Sequence, residues 1–313
     1  MIRQPGRANQ PSTAEATASL AAQQGELDRR IAPWRGKPLA HVPADDDLRS
    51  NFGAGPSVRA ELAAASRIGQ FNKCAWCEGF IHDDQARSES ERLTVEHVRP
   101  VHDYPWLQAR WSNLVAACGA CNHGRGRRAV RRSAPIQDFP LISGQVSRLR
   151  VGELPPGVDG RELTGMRPGW CVVDPMDPAE VDPASIVQPR VASTAYSAAT
   201  FPSRAREVVA WSARSGLDRS SRLRARGMIP AVLYAGGDVV SERRASWIRR
   251  AVVPRVEDLR AASDQREAHL AWTRLCARTR PSQPYSLVVW EMLASSELSE
   301  IRALYGLVVP ARP

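Results

Sequence analysis

The sequence predicts an α+β protein: a small ββα module stapled by a four-cysteine zinc site, with mainly helical flanks and a helical C-terminal region. Three observations carry this reading. Two tight pairs, Cys74-x-x-Cys77 and Cys118-x-x-Cys121, stand about 40 residues apart, a spacing at which two knuckles share one tetrahedral zinc ion. Between them, Leu93-Thr94-Val95-Glu96-His97-Val98 alternates and is β-prone, which puts His97 at a strand end. Past about residue 200, apolar residues recur at helical spacing.

Other readings of the cysteines fit less well. A redox C-x-x-C does not call for a second pair. Disulfides need an oxidising compartment, and MIRQPGRANQPSTAEATASL has no apolar stretch of a secretory signal, so a cytoplasmic location is expected. Cys171 and Cys276 lie far off and read as ordinary thiols.

Along the chain, residues 1–24 are polar and rich in Ala, Gln and Ser, and are expected to be a disordered tail. Residues 25–70 form a helical lead-in. Ser57 is expected to cap a helix whose face carries Val58, Leu62, Ala65 and Ile68 and which ends at Gly69. Residues 71–140 hold the cysteine motifs, with Trp76 and Trp111 expected to pack on the knuckles and a short helix after Cys121. Residues 141–200 are Pro-, Gly- and Asp-rich, hence loops and short strands. Residues 201–313 read as a basic helical region. It holds a helix pair across Ser203–Arg226 broken at Gly216, then helices over Asp264–Arg280 and Ser286–Leu304, with Leu270, Trp272, Leu275, Leu287, Trp290, Leu293, Leu298 and Ile301 as core.

The 313 residues are 43% hydrophobic, enough for one large or two smaller cores. No apolar run reaches membrane-spanning length, so no membrane partner is expected. No phosphate-binding P-loop is present, so ATP hydrolysis is not built into the chain. The net charge is +10 and only Lys37 and Lys73 are lysines. From Ser203 on, 19 Arg face 11 acidic residues, a balance of +8. Arginine grips phosphate bidentately, which suits a polyanionic partner, although a GC-rich genome yields the same excess.

Phosphodiester hydrolysis needs a base to activate water and a cation to stabilise charge building on the phosphate. Imidazole suits the first task, and carboxylate and amide oxygens suit Mg²⁺ or Mn²⁺. Glu96, His97, Asn113 and Asn122 supply these groups.

At these residues the chain resembles the HNH endonucleases. The matching segments are Cys74-x-x-Cys77, Glu96-His97-Val98-Arg99-Pro100, Trp111-Ser112-Asn113-Leu114 and Cys118-Gly119-Ala120-Cys121-Asn122. The resemblance implies a ββα-metal fold, His97 as general base, Glu96 and Asn122 as ligands of a catalytic Mg²⁺ or Mn²⁺, and Asn113 as the residue tying down the loop that orients the histidine. Structural zinc falls to Cys74, Cys77, Cys118 and Cys121. The chain departs from the pattern where Glu96 replaces the frequent Asp and Arg125 the frequent Lys. Arg125, Arg127 and Arg128, with Arg131 and Arg132, form a basic cluster expected to contact DNA phosphates. His123 reads as a solvated helix residue, and His102 and Asp103 as loop residues.

A narrower resemblance, over about residues 57–230, is to the HNH proteins of Septu-type and retron-associated anti-phage systems. It rests on Cys74-Ala75-Trp76-Cys77-Glu78, Glu96-His97-x-x-Pro100, Cys121-Asn122, Phe139-Pro140 and Val173-Asp174-Pro175. It implies a nuclease subunit that cuts nucleic acid beside a separate ATPase; DNA is the expected substrate, RNA the alternative, and an oligomer is compatible. Two other readings are a non-catalytic zinc module that binds nucleic acid or a partner, and an HNH nuclease of a restriction system or mobile element.

Overall fold

The computed structural model describes residues 11–34, 37–38, 55–82, 88–98, 107–122, 150–151, 182–229 and 237–312. Arg99, Pro100, His102, Asp103, His123, Arg125, Arg127, Arg128, Arg131, Arg132, Phe139, Pro140, Cys171 and Val173-Asp174-Pro175 lie outside them.

Helix α1 (Ala14–Ile31) corrects the expected disordered tail over residues 14–24. The Thr13 hydroxyl oxygen accepts from the Ala16 amide at its start, Glu15 sits in the first turn and Arg29 and Arg30 in the last, each matched to the helix dipole. Ala16, Leu20, Gln24 and Leu27 recur on one buried face. The low hydropathy hid that stripe, yet Ala, Gln and Glu are strong helix formers. Helix α2 (Pro56–Gly69) packs against α1. Its cap is Gly55 with Pro56 at the first helical position, not Ser57, because proline's fixed φ already starts the helix one residue earlier. Ser12 fastens the two helices: its amide and hydroxyl both donate to Glu61 Oε1 at 2.6 Å.

Helix α2 lies on an antiparallel ribbon. The strands Lys37–Pro38 (β1) and Arg150–Val151 (β4) pair separately. The central hairpin joins β2 (Leu93–His97) to β3 (Leu114–Cys118), with Leu93 opposite Cys118 and His97 opposite Leu114. All of β3 is buried, so its run Leu-Val-Ala-Ala-Cys is apolar on both faces. Gln70, just past α2, donates its amide to the Lys73 and Ala116 carbonyls at 3.0 and 3.1 Å and locks helix to hairpin. A helical turn at 119–122 follows β3, giving the order strand, strand, helix.

The C-terminal half differs in part from the expected helix pair. One turn, α3 (Pro183–Ile186), leads into β5 (Val187–Val191), which pairs antiparallel with β6 (Val209–Ala213). Val209 and Trp211 are buried with Ala210 exposed between them, a period of two that makes this stretch a strand. Helices α4 (Arg219–Met228), α5 (Gly237–Ala251), α6 (Val253–Arg260), α7 (Gln265–Cys276), α8 (Ser286–Ala294) and α9 (Ser299–Tyr305) follow. The expected single helix over Ser286–Leu304 breaks at Ser295, which is extended, and the Arg302 guanidinium caps the carbonyls of Leu293 and Ser295 at the end of α8. Leu270 is 52% exposed and not in the core, because Ala268, Ala271, Trp272 and Leu275 define the buried face of α7 and 270 falls off it. Cys276 is half-buried and has no disulfide. Among the described residues no helix is long and apolar enough to cross a membrane.

Candidate active site and metal centre

The two cysteine pairs are brought together by the hairpin. Cys118 ends β3 and Cys121 sits one helical turn on, while Cys74 and Cys77 lie in a tight turn closed by Cys74 N–H to Gly79 O at 2.8 Å and Glu78 N–H to Cys74 O at 3.1 Å. Glu78 adopts a left-handed φ of 63° to complete that turn. The four Sγ atoms all lie within 4.8 Å of one another and are buried. The Cys77 and Cys118 sulfurs stand 3.8 Å apart. Zinc–sulfur bonds of about 2.3 Å in a tetrahedron place neighbouring sulfurs about 3.8 Å apart, so the four residues fit a structural zinc ion. Two backbone amides support the sulfurs, Gly79 N–H on Cys77 at 3.4 Å and Cys118 N–H on Cys74 at 3.3 Å. Burial pushes the Cys74 thiol well up, and hydrogen bonding with Cys118 does the same to Cys121. The surrounding thiols, Cys121 first, hold Cys118 well below the ordinary thiol range. A divalent cation bound by all four sulfurs lets the set ionise together.

The second knuckle has no room to spare. Gly119 N–H donates to Arg92 O at 3.0 Å, and a Cβ at Gly119 would collide with the Glu89 carbonyl. No rotamer relieves a clash between a Cβ and backbone. Gly119→Ala is therefore expected to destabilise the domain by at least about 2 kcal/mol, read as a lower melting temperature with weaker zinc retention. Unchanged melting would mean that the Glu89 segment yields freely.

His97, the last residue of β2, is half-buried, and its Nε2 lies 2.9 Å from the Gln108 carbonyl. A carbonyl only accepts, so Nε2 carries the proton and the lone pair of the neutral ring is on Nδ1. The loop that supplies this carbonyl is pinned by Asn113. Its buried Nδ2 donates to Leu107 O at 3.2 Å, its N–H to Arg110 O at 2.9 Å, and its own carbonyl accepts Val98 N–H at 2.8 Å. Asn113 thus clamps the strand end to the loop holding the imidazole. Asn122, in the turn after Cys121, donates Nδ2 to the Val95 carbonyl at 3.2 Å, the peptide directly before Glu96. Its amide oxygen and the half-buried Glu96 carboxylate are oxygen donors of the kind a hard cation takes. The zinc ligands, His97, Asn113 and Asn122 thus belong to one hairpin and its flanking turns. Trp76 and Trp111 are buried in the core, as packing residues.

Three contributors escaped the sequence reading: the Gln108 main-chain carbonyl, the buried Lys73, whose ammonium donates to Gln283 O at 3.3 Å, and Arg243 on α5. A carbonyl has no sequence signal. A Lys next to a zinc ligand could have been noticed; the long-range Arg243 could not.

Comparison with known proteins agrees with this geometry. Residues 74–128 match the family model described as HNH endonuclease. A 72-residue stretch is 38% identical to the Septu protein PtuB of Bacillus thuringiensis, covering 22% of this chain and 26% of that protein. The match thus spans about a quarter of that relative's length. No solved structure matches the chain. With the four sulfurs gathered as a metal site and the histidine presented from the same hairpin, residues 74–128 carry an HNH endonuclease domain, one segment of a longer chain.

Proposed function

We propose that this protein is a metal-dependent endonuclease that hydrolyses phosphodiester bonds in DNA, the nuclease effector of an anti-phage defence system acting with a separate ATPase subunit. The observation that carries the chemistry is the 2.9 Å contact of His97 Nε2 with the Gln108 carbonyl, which leaves Nδ1 as the basic nitrogen. His97 Nδ1 takes a proton from the attacking water. Asn113 holds the loop that fixes the ring, so the imidazole does not have to be ordered when substrate arrives. Glu96 and Asn122 would hold the divalent cation, Mg²⁺ or Mn²⁺; when bound, it supplies positive charge to the scissile phosphate and leaving oxygen. The zinc of Cys74, Cys77, Cys118 and Cys121 holds the fold and takes no part in the chemistry. Arg125, Arg127 and Arg128 lie three to six residues after Asn122 and act on backbone phosphates, which position a duplex without reading its sequence.

Support for the defence role is the 38% identity of a 72-residue stretch to the Septu protein PtuB. Supercoiled plasmid, single-stranded DNA and RNA, each incubated with the purified chain in Mg²⁺, Mn²⁺ or EDTA, test the reading. The set is run with and without the product of any neighbouring ATPase gene. Nicking that needs the cation is expected on DNA. Cleavage of RNA alone would replace the substrate, and no cleavage under any condition, with zinc retained, would favour a binding module.

A further inference from the structure

Residues 237–312 contribute nothing to the HNH motif, yet they close over its zinc knuckles. Arg243, on α5, spends all three guanidinium nitrogens there. Nη2 donates to Phe80 O at 2.8 Å, Nη1 donates to Ser90 O at 3.2 Å, and Nε lies 3.7 Å from Glu91 Oε1. Phe80 follows the first knuckle, and the Ser90 carbonyl also accepts Ala120 N–H of the second at 3.2 Å, so one side chain engages both. The empty position on Gly79 locates the charge. A Cβ there would lie 2.8 Å from Tyr285 Oη, 3.3 Å from Arg243 Nη2 and 3.4 Å from Cys77 Sγ. Nη2 and the zinc-ligand sulfur are therefore within about 7 Å of each other in a largely buried place, where a unit charge is strongly felt.

A second observation points the same way. Arg244, 2% exposed, stacks on Trp211 and Tyr285 with its guanidinium carbon 5.3 and 5.6 Å from the ring centroids. Its Nε and Nη2 make no hydrogen bond, and no carboxylate pairs with it among the described residues. A buried guanidinium without a carboxylate needs a negative charge nearby. The Tyr285 ring it covers carries the hydroxyl that touches the knuckle, and Trp247 meets that ring edge-on at 5.8 Å. Lys73 and Glu78, both buried beside the knuckle, carry opposite charges and offset each other.

Zinc bound by four thiolates carries a net charge of about −2, and releasing the metal lets the sulfurs take up protons that remove most of that charge. Cations held against the centre therefore favour the loaded form specifically. We propose that Arg243, backed by Arg244, is the counter-charge that retains zinc in the four-cysteine centre, and that residues 237–312 act as a cap on that centre. Arg243 is a positioning residue here, acting through the sulfurs and not on substrate.

Zinc affinity of the full-length chain, measured by competition with a chromophoric chelator, tests this. Cobalt-loaded samples report the sulfur-to-metal charge-transfer band in parallel, and neither readout depends on nuclease activity. Arg243→Gln is expected to weaken zinc binding about 10- to 100-fold and shift that band, the range found when outer-sphere partners of metal ligands are lost. Arg243→Lys, which keeps the charge, is expected to stay within about threefold of wild type. Arg250→Gln, on the exposed side of α5, serves as control. Wild-type zinc affinity in Arg243→Gln would overturn the proposal. So would equal loss in the Gln and Lys variants, because the carbonyl bonds and not the charge would then be the cause.

Discussion

His97→Ala is expected to lower metal-dependent cleavage by about 10²- to 10⁴-fold, about 3–5 kcal/mol of transition-state stabilisation, while leaving zinc content and DNA binding unchanged. The asymmetry follows from where the ring sits. It is half-buried at the end of β2 and its Nε2 donates to a main-chain carbonyl, a hydrogen bond whose loss costs about 1 kcal/mol of stability. What is lost is a base whose proton is held on the nitrogen facing Gln108. Asn113→Ala acts one step back. It loosens the 107–110 loop by removing one of the two donors to the Leu107 carbonyl, leaving the Arg110 N–H, so it is expected to lower the rate less than His97→Ala and stability more. Single-turnover cleavage beside fluorescence-anisotropy binding separates the two. Added imidazole that partly restores His97→Ala would identify the missing group as the base. A His97→Ala protein that cuts at the wild-type rate would remove the proposed mechanism altogether.

The site was legible because its chemistry is local. C-x-x-C pairs, a Glu-His dipeptide on an alternating strand and an Asn after the last cysteine each sit within a few residues, and the β2–β3 hairpin gathers them. What lay beyond reach were long-range uses of residues with an innocent local appearance. The C-terminal arginine excess read as a polyanion-binding surface, but part of it makes contacts within the chain. Arg214 and Arg312 share Glu291, Arg260 donates to Tyr196 O, Arg302 caps α8, Arg243 holds the Phe80 and Ser90 carbonyls, and Arg244 stacks on Trp211 and Tyr285. Arginine does this because its flat, five-donor head satisfies several carbonyls at once. Helix α1 failed for the opposite reason: its buried stripe uses Ala16 and Gln24 where a reader looks for larger apolar side chains. Strand β6 was misread because Val209-Ala210-Trp211 is too short for period alone to separate strand from helix.

Removing zinc is expected to have the largest effect on the fold. Structural zinc in small peptides binds with about 10–16 kcal/mol, which matches or exceeds the 5–15 kcal/mol that holds a typical domain together. Two five-residue strands make the hairpin, and a lone hairpin is marginal in water, so beside the metal the module rests on α2 and on the buried Trp76 and Trp111. Cys118→Ser is the sharpest version, since this residue ends β3, pairs with Leu93 and faces the other three sulfurs. Chelation or Cys118→Ser is therefore expected to abolish the near-ultraviolet signal of the buried Trp76 and Trp111 and to expose the β2–β3 segment to protease. Much of the far-ultraviolet helical signal should survive, because α6, α7 and α8 bury Val256, Leu259, Trp272, Leu275, Leu287 and Leu293 within the C-terminal half. A zinc-free chain that kept its tryptophan signal and melting temperature would mean that α2 and the C-terminal cap hold the hairpin unaided. Loss of the helical signal in step with the hairpin would mean that the cap and the HNH domain fold as one unit, with the metal as their common support.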